Sequence, residues 1–210
     1  MNTPFPPTGD EMQKEPENFS SSASNTPTPR KKETFFDLIK FALLALLIVI
    51  PIRTFIAQPF IVSGTSMIPT FEDKEYLIVD ELSYRLREPE RGDVMVFRFP
   101  MDTSRFFIKR IIGLPGETVR VNGGTVRIFN ESNPEGFVID EPYVEFSSAQ
   151  KSEVKLGTDE YFVMGDNRNG SYDSRSWGAL KREYIEGRAL FRLLPITEVD
   201  FLPGAHVFNN

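Results

Sequence analysis

The sequence predicts a mainly β protein, in which an antiparallel β-sandwich or barrel-like domain follows one N-terminal transmembrane helix. Three observations support this fold class. A long apolar run lies near the N-terminus, short β-rich runs separated by Gly and Pro follow it, and one pair of runs has the pattern of a hairpin. Many short strands with such punctuation are typical of antiparallel β domains.

The first 33 residues, 1–33, are predicted to be a disordered segment in the cytoplasm. Pro, Ser, Thr, Asn and Glu dominate this segment, and it has too few apolar groups to offset the entropy lost on ordering. Arg30, Lys31 and Lys32 lie just before the apolar run. The positive-inside rule therefore places the N-terminus in the cytoplasm and the β-rich domain outside it.

Residues 34–58 are predicted to form the transmembrane helix. The run from Phe35 to Ile56 has 22 residues, and at 1.5 Å per residue it extends about 33 Å, enough for a bilayer core. Its charged residues, Asp37, Lys40 and Arg53, lie near the two ends, where they can pair or reach the interface. The alternative is a soluble core helix, which would need a protein partner for every face. We favour the membrane because the segment that follows is not helical.

Residues 59–200 are predicted to form the extracytoplasmic β-rich domain. The segment VRVNGGTVRIF alternates apolar and polar residues on both sides of an Asn-Gly-Gly turn, which is a strong hairpin pattern. A small insertion, at about 121–158, is either a loop or a subdomain, and the sequence does not assign its role. The last residues, 201–210, are a predicted C-terminal tail.

The composition excludes several kinds of partner and catalytic site. A net charge of -6 and a pI near 5.0 provide no basic domain for nucleic acid. The absence of Cys excludes disulfides, thiolate metal sites and a Cys nucleophile. The one His, His206, is four residues from the C-terminus, where we expect it to be solvated. A Ser-His-Asp triad, a metal site and a cofactor are therefore not expected, and hydrolytic chemistry would need another base.

Ser66 and Lys109 are the candidate nucleophile and base. Ser66 lies in the polar turn IVSGTSMIPTF, although a serine in such a turn is, taken alone, more often an ordinary turn residue. Lys109 lies among Phe and Ile residues, and strand alternation sends Lys109 and Arg110 to opposite faces, one toward solvent and one toward the interior. Burial lowers the pKa of a lysine and makes it a usable general base. The alternative is a solvated Lys-Arg pair at a sheet edge.

A third candidate segment is the polar loop GDNRNGSYDSRSWG, from Gly165 to Gly178. It follows the strand EYFVM and combines serines with two aspartates and two arginines. Such a loop can orient a buried amine by a hydrogen bond and support itself with an Asp-Arg pair. Taken alone, it is equally compatible with a solvated hairpin end.

Together, SGTSMIPT, FIKRIIGLPGE and GDNRNGSYDSRSWG, in this order after one apolar span, resemble the sequence boxes of bacterial type I signal peptidases. The resemblance extends from about Thr34 to Pro195. It implies a Ser-Lys serine protease, in which Ser66 is the nucleophile and Lys109 is the general base. Relatives from the endoplasmic reticulum and from archaea generally have His at the base position, so Lys109 indicates the bacterial or organellar type.

The same resemblance implies roles for three residues of the polar loop. Ser171 corresponds to a hydroxyl that hydrogen-bonds the lysine. Asp173 and Arg175 correspond to a structural Asp-x-Arg motif, to which we assign a bracing role rather than a chemical one.

The sequence does not identify every hydrogen-bond donor of the implied oxyanion hole. The Ser66 backbone N–H is one implied donor. Some members of the family have a second hydroxyl two residues before the nucleophile, where this chain has Gly64, and we count Gly64 with Ser66 as an oxyanion-hole residue. The second donor is therefore left open among the backbone, a water molecule and a neighbouring hydroxyl such as that of Thr65.

The implied substrates are secretory preproteins, from which the N-terminal signal peptide is removed after small residues of the Ala-x-Ala type. Residues at the family's pocket positions are bulky, so they leave room for little more than a methyl group, and an extended substrate would add to a strand edge. These residues are Phe60, Val62, Met67, Phe107 and Ile108. The resemblance places the enzyme in the bacterial cell membrane, with the lipid bilayer and preproteins as its partners, and we expect a monomer.

Two other interpretations compete with this one. A self-cleaving repressor also uses a Ser-Lys pair, but it has a DNA-binding module and no membrane span. An inactive membrane-tethered β domain that only binds partners is the alternative from a different class. The presence of Ser66, Lys109 and Ser171 together counts against that alternative.

Overall fold

The computed structural model describes residues 35–55 and 57–208. The predicted disordered segment 1–33 lies outside the described residues, as do Thr34, Ile56 and the last two residues of the predicted tail. The chain divides into two units, the first ending at Phe41 and the second beginning at Ala42.

Helix α1 covers Phe35–Phe55 and lies within the predicted span 34–58. Lys40 Nζ is 3.9 Å from Asp37 Oδ1, one turn away. The large apolar side chains between Phe35 and Ile50 are exposed, as shown by Leu47 at 71%. Within the described ranges, no helix combines the length and the apolarity that a bilayer crossing requires.

The remainder of the described chain is mainly antiparallel β structure, which confirms the mainly β, antiparallel part of the predicted fold class. Its strands are β1 (Ala57–Ile61), β2 (Tyr76–Asp80), β3 (Val94–Phe99), β4 (Asp102–Gly113), β5 (Thr118–Asn122), β6 (Thr125–Asn130), β7 (Asn133–Val138), β8 (Lys151–Lys155), β9 (Glu160–Met164), β10 (Leu180–Lys181), β11 (Ile185–Leu194) and β12 (Asp200–Phe201). Short helices cover Ser83–Leu86 (α2) and Ser174–Trp177 (α3), and 3-10 turns cover Arg182–Tyr184 and Ile196–Glu198.

These strands form a large sheet and a small sheet. The large sheet has the order β1-β2-β11-β3-β4-β9-β10, with β12 beside β11, and the small sheet has the order β7-β6-β5-β8. Strand β1 is an edge strand, which suits Pro59 because proline has no N–H to donate to a second neighbour. All the pairings along these two orders are antiparallel.

The predicted hairpin is confirmed as β5 and β6. Asn122 pairs with Thr125 across a two-glycine turn, where Gly123 has a φ of 62° that favours a residue without a side chain. The predicted insertion, 121–158, contains β6, β7 and β8 and so supplies most of the small sheet.

Alternation along β4 divides the core between the two faces of the large sheet. Ile112 packs with the apolar side of the small sheet, including Val119 and Ile128. Its neighbour Ile111 faces the other way and packs in a second cluster with Phe97. This is the expected result of a side-chain period of two in a strand that is covered on both faces.

The residues of the predicted tail that are described pack against the domain. Strand β12 pairs with β11, and the Gly204 carbonyl accepts a hydrogen bond from the Arg110 guanidinium. His206, which we expected to be solvated, lies with its ring edge-on to Tyr143 at 5.3 Å and to Phe208 at 4.6 Å. The sequence could not show the contact with Tyr143 because that residue is 63 positions away along the chain.

We expect Phe97→Ala to lower the free energy of unfolding by about 3–5 kcal/mol, because it leaves a cavity in the core of the large sheet. Phe97 is 0% exposed, whereas Phe201 is 58% exposed. The matched variant Phe201→Ala should therefore cost about 1 kcal/mol or less. Urea denaturation followed by the fluorescence of Trp177 measures both, and equal losses would contradict this assignment of the core.

Candidate active site

Ser66 lies in the turn after β1, and two apolar residues that follow it are buried. Met67 and Phe71, which follow Ser66 in the chain, are 1% and 0% exposed, and they pack with Val62 in a third core cluster. The Phe71 N–H donates to the Met67 carbonyl at 3.0 Å, which closes a tight turn. The core therefore fixes the backbone that carries the Ser66 hydroxyl.

Lys109 lies on β4 with its amine directed at Ser66. Lys109 Nζ donates to Ser66 Oγ at 2.7 Å and to the Ile108 carbonyl at 2.8 Å. The side chain is buried at 4% exposure. Burial lowers the pKa of the Lys109 amine from 10.5 to about 8, while the carboxylates of Asp173 and Asp166 act in the opposite direction. A buried amine with such a pKa can accept the proton of the adjacent hydroxyl near neutral pH.

The pair of Arg110 and Asp166 ties β4 to the polar loop. Arg110 donates to the two Asp166 oxygens at 2.8 and 2.6 Å, and both side chains are fully buried. The Thr70 hydroxyl, from the turn that carries Ser66, donates to the same carboxylate at 2.5 Å. One buried ion pair therefore connects the three segments that the sequence analysis selected.

The polar loop also contacts the nucleophile turn through its backbone. The Asn167 N–H donates to the Ser66 carbonyl at 3.1 Å, and the Asn167 side-chain amide donates to the Thr65 carbonyl at 3.1 Å. Gly165 approaches so closely that a Cβ placed there would lie 2.3 Å from both the Ser66 carbonyl oxygen and Ser171 Oγ. Only glycine fits at such a contact.

Asp173 and Arg175 form a second buried ion pair in this loop. Arg175 donates to the two Asp173 oxygens at 2.8 and 2.7 Å. Asp173 is also the N-cap of α3, and it accepts a hydrogen bond from the Gly165 N–H at 3.0 Å. The pair thus fixes both ends of the segment between Gly165 and α3.

A cleft of about 530 Å3 leads away from the Ser66–Lys109 pair. Among its lining residues, the rings of Phe60 and Phe106 meet edge-on, with centroids 5.2 Å apart. The walls are mostly apolar and bulky; they include Phe60, Val62, Phe106, Phe107, Ile108 and Tyr172. A concave, largely apolar surface with a few polar groups is the usual form of a ligand-binding site.

Residues 35–194 match the protein-family model described as "Signal peptidase, peptidase S26". The chain belongs to this signal peptidase family. A probable signal peptidase I-2 of Synechocystis is 41% identical over 186 residues, which cover 83% of each chain. Signal peptidase I of Leptolyngbya laminosa is 36% identical over 85% of this chain and 95% of that protein. Signal peptidase I of Bacillus licheniformis is 34% identical over 80% of this chain and 94% of that protein.

Membership of the signal peptidase family makes the chain a peptidase, and the structure places most of the predicted site residues close together. Ser66 and Lys109 are in direct contact, and Asp173 pairs with Arg175. Ser171 lies beside Gly165, but its hydroxyl is buried and has no hydrogen-bond partner among the described residues. The expected bond between Ser171 and the lysine is therefore not formed in this structure.

Two predicted site residues of this signal peptidase are placed differently from the expectation. The Gly64 N–H donates to Asp73 Oδ1 at 2.8 Å, so it is not free to act as an oxyanion donor. Met67 is 1% exposed and packs in the core, because the turn that begins at Ser66 places its side chain against Val62 and Phe71. The other four predicted pocket residues, Phe60, Val62, Phe107 and Ile108, line the cleft.

The expectation that one of Lys109 and Arg110 faces solvent is wrong. The two side chains do point to opposite faces of β4, but Lys109 is 4% exposed and Arg110 is 0% exposed, because both faces are covered. The sequence consequently did not predict the Arg110–Asp166 pair or the contacts of Asn167. Two adjacent cations within an apolar strand could have indicated a buried carboxylate partner, although not which one.

We expect Lys109→Met to raise the free energy of unfolding at pH 7 by about 3 kcal/mol, because a pKa lowered from 10.5 to about 8 means that protonating the buried amine costs stability. Below pH 8 the whole cost is present. Between pH 8 and 10.5 only the unfolded state binds the proton, so the wild type gains stability and the difference between the two proteins shrinks.

Urea denaturation at pH 7 and at pH 10 tests this expectation. The control is Lys155→Met, at an exposed lysine, which should change stability little at either pH. A Lys109→Met protein that is less stable than the wild type at pH 7 would show that burying the protonated amine does not lower the free energy of unfolding.

Proposed function

We propose that this protein is a membrane-bound serine endopeptidase that removes N-terminal signal peptides from translocated preproteins by Ser-Lys catalysis. The observation that carries the proposal is the 2.7 Å contact between Lys109 Nζ and Ser66 Oγ, in a site where burial lowers the pKa of the amine to about 8. The names of the relatives, which are signal peptidases, support the substrate class.

In the proposed first step the neutral Lys109 amine takes the Ser66 hydroxyl proton while the oxygen attacks the scissile carbonyl. Collapse of the tetrahedral intermediate breaks the C–N bond, and the Lys109 ammonium gives its proton to the leaving amine. The signal peptide is then an ester of Ser66. Lys109, neutral again, takes a proton from water, which attacks the ester and releases the peptide acid, and the proton returns to Ser66.

The oxyanion that forms in both steps needs hydrogen-bond donors. Within the described residues the Ser66 N–H has no acceptor, so it is available as one donor. The Gly64 N–H is committed to Asp73, and the Thr65 hydroxyl, on a residue that lines the cleft, is our candidate for the second donor beside another backbone N–H or a water molecule. Removal of one such donor typically costs about 100- to 1,000-fold in rate.

We assign Ser171 the orientation of the Lys109 amine. Its hydroxyl is buried without a partner at the point where Gly165 contacts the Ser66 carbonyl. A buried hydroxyl seldom remains unpaired, and a bond to the amine would satisfy it. Asp173 and Arg175 support the loop through their bidentate pair and take no part in the chemistry.

The apolar walls support cleavage after small residues of the Ala-x-Ala type. Ser66 and Lys109 line the cleft together with the bulky side chains of Ile108, Phe107 and Val62. Bulky walls beside the reacting groups favour small substrate side chains over large ones. The substrate would lie extended beside β4.

We propose that α1 attaches the enzyme to the cell membrane, with the N-terminus in the cytoplasm and the β domain outside. The support comes from the uninterrupted apolar sequence Phe41 to Ile52 and from the exposure of the large apolar side chains between Phe35 and Ile50. An apolar helix that protein does not cover is suited to lipid. The reacting residues would then act where a translocated preprotein is still held in the bilayer.

Ser66→Ala should abolish cleavage of a preprotein that carries an Ala-x-Ala junction, because the nucleophile is lost. Lys109→Arg should do the same, because a guanidinium stays protonated and cannot serve as the base. Mass spectrometry of the products, with detergent-solubilised full-length protein, locates the cut. Ser104→Ala is the control, since Ser104 is an exposed serine on the same strand as Lys109.

Cleavage after the second alanine by the wild type and the control alone is the expected result. Appreciable cleavage by either active-site variant would overturn the assignment of Ser66 and Lys109. A folded wild-type protein that does not cleave would favour the membrane-tethered binding domain instead.

The value of kcat/KM should rise about tenfold per pH unit at low pH and level off near pH 8, because only the neutral form of Lys109 accepts the proton and burial lowers the pKa of this amine to about 8. Initial rates on one peptide substrate from pH 6 to 10 measure the profile. A flat profile between pH 6 and 9 would exclude an amine as the base.

A further inference from the structure

The small sheet sends one carboxylate into the polar loop of the active site. Ile139, after β7, is 6% exposed and packs in the core beneath the small sheet. Glu141, two residues later, reaches Arg168 of the loop. We propose that Glu141 is a positioning residue that sets the loop against Ser66 and Lys109 through Arg168, and this inference rests on the proposed function.

The contact between Glu141 and Arg168 is buried and bidentate. Arg168 donates to the two Glu141 oxygens at 2.7 and 2.5 Å, and the side chains are 7% (Glu141) and 4% (Arg168) exposed. The Tyr143 hydroxyl donates to the same carboxylate at 2.9 Å. The three bonds fix the position of Glu141 and, through the planar guanidinium, the position of Arg168.

Arg168 passes this constraint to the backbone beside Ser66. Its Nε donates to the Gly165 carbonyl at 3.1 Å. Gly165 lies against the Ser66 carbonyl oxygen, and the next-but-one residue, Asn167, donates its N–H to that oxygen. A displacement of Arg168 therefore displaces the segment in direct contact with the nucleophile.

The same segment carries the charges that act on Lys109. Asp166 and Asp173, on either side of Arg168 in the chain, are the groups that raise the pKa of the amine against the effect of burial. Asp173 is also bonded to the Gly165 N–H at 3.0 Å. A shift of Gly165 changes the distance from these carboxylates to Lys109, and with it the protonation of the base.

A second buried ion pair, away from the polar loop, is a control that distinguishes a positioning role from ordinary structural support. Glu117, before β5, pairs with Arg91 at 2.7 Å, and both side chains are 7% exposed. The Leu114 N–H also donates to Glu117 at 2.8 Å. This pair resembles that of Glu141 in burial, but within the described residues Glu117 has no hydrogen bond or ion pair with the polar loop.

The test compares Glu141→Gln with Glu117→Gln in the full-length protein in detergent. Both variants should lower the urea midpoint, because each leaves a buried arginine without its carboxylate. Only Glu141→Gln should also lower the plateau of kcat by about tenfold or more and move the acid limb of the kcat/KM profile by about 0.5 pH unit or more. Arg168→Lys, which loses the Nε bond to Gly165, should reproduce these effects, and the double variant should be no worse than either single one.

A Glu141→Gln protein that loses stability but keeps the wild-type plateau and acid limb would overturn the proposal and leave a structural ion pair. Where Glu141→Gln does not fold, Glu141→Asp and Glu117→Asp give the same comparison with a shortened carboxylate. An NMR titration of the Lys109 side chain, identified by its loss in Lys109→Met, reads the pKa without any substrate. A shift of that pKa in Glu141→Gln alone supports positioning even if the wild type cleaves no preprotein, so the two proposals can fail separately.

Discussion

The burial of the Lys109 amine against the Ser66 hydroxyl is the constraint on which the rest of this structure depends. In water, only about one lysine side chain in a thousand is neutral at pH 7. Strand β4 removes that water by surrounding Lys109 with apolar side chains, yet it keeps the amine hydrogen-bonded to the Ile108 carbonyl and to Ser66. The site is costly for a cation and acceptable for a neutral amine, which is the form that can accept a proton.

A second set of buried charges limits the extent to which burial lowers the pKa of Lys109. Arg110, Arg168 and Arg175 are each nearly or fully buried, and each is satisfied by a carboxylate. Such pairs are tolerated because hydrogen bonds and the opposite charge offset desolvation. They also bring Asp166 and Asp173 near Lys109, where the carboxylates stabilise the protonated amine. The pKa of about 8 is thus a balance between burial and two carboxylates held by arginines.

Both sheets supply groups that set the environment of the Lys109 amine. The large sheet contains β4, which carries Lys109. It also contains the edge strand β1, which leads to Ser66, and strand β9, which leads to the polar loop. The small sheet packs on the large one through Ile112 and its neighbours. Its connection after β7 places Glu141 on Arg168. An insertion that looks peripheral in the sequence therefore contacts the polar loop that lies against Ser66.

The sequence by itself determined the β class, the β5–β6 hairpin and the order of the three chemical segments, because alternation, turn residues and short motifs are local properties. It also selected Lys109, since a lysine within an apolar strand is unusual whatever the strand packs against. Only the tertiary structure decided that Arg110 is buried as well and that Met67 belongs to the core. It also decided that the Gly64 N–H donates to Asp73. The contact of Glu141 with Arg168 was likewise visible only in the folded chain. Each of these depends on which groups meet across many residues of chain, and a linear pattern does not encode that choice of partner.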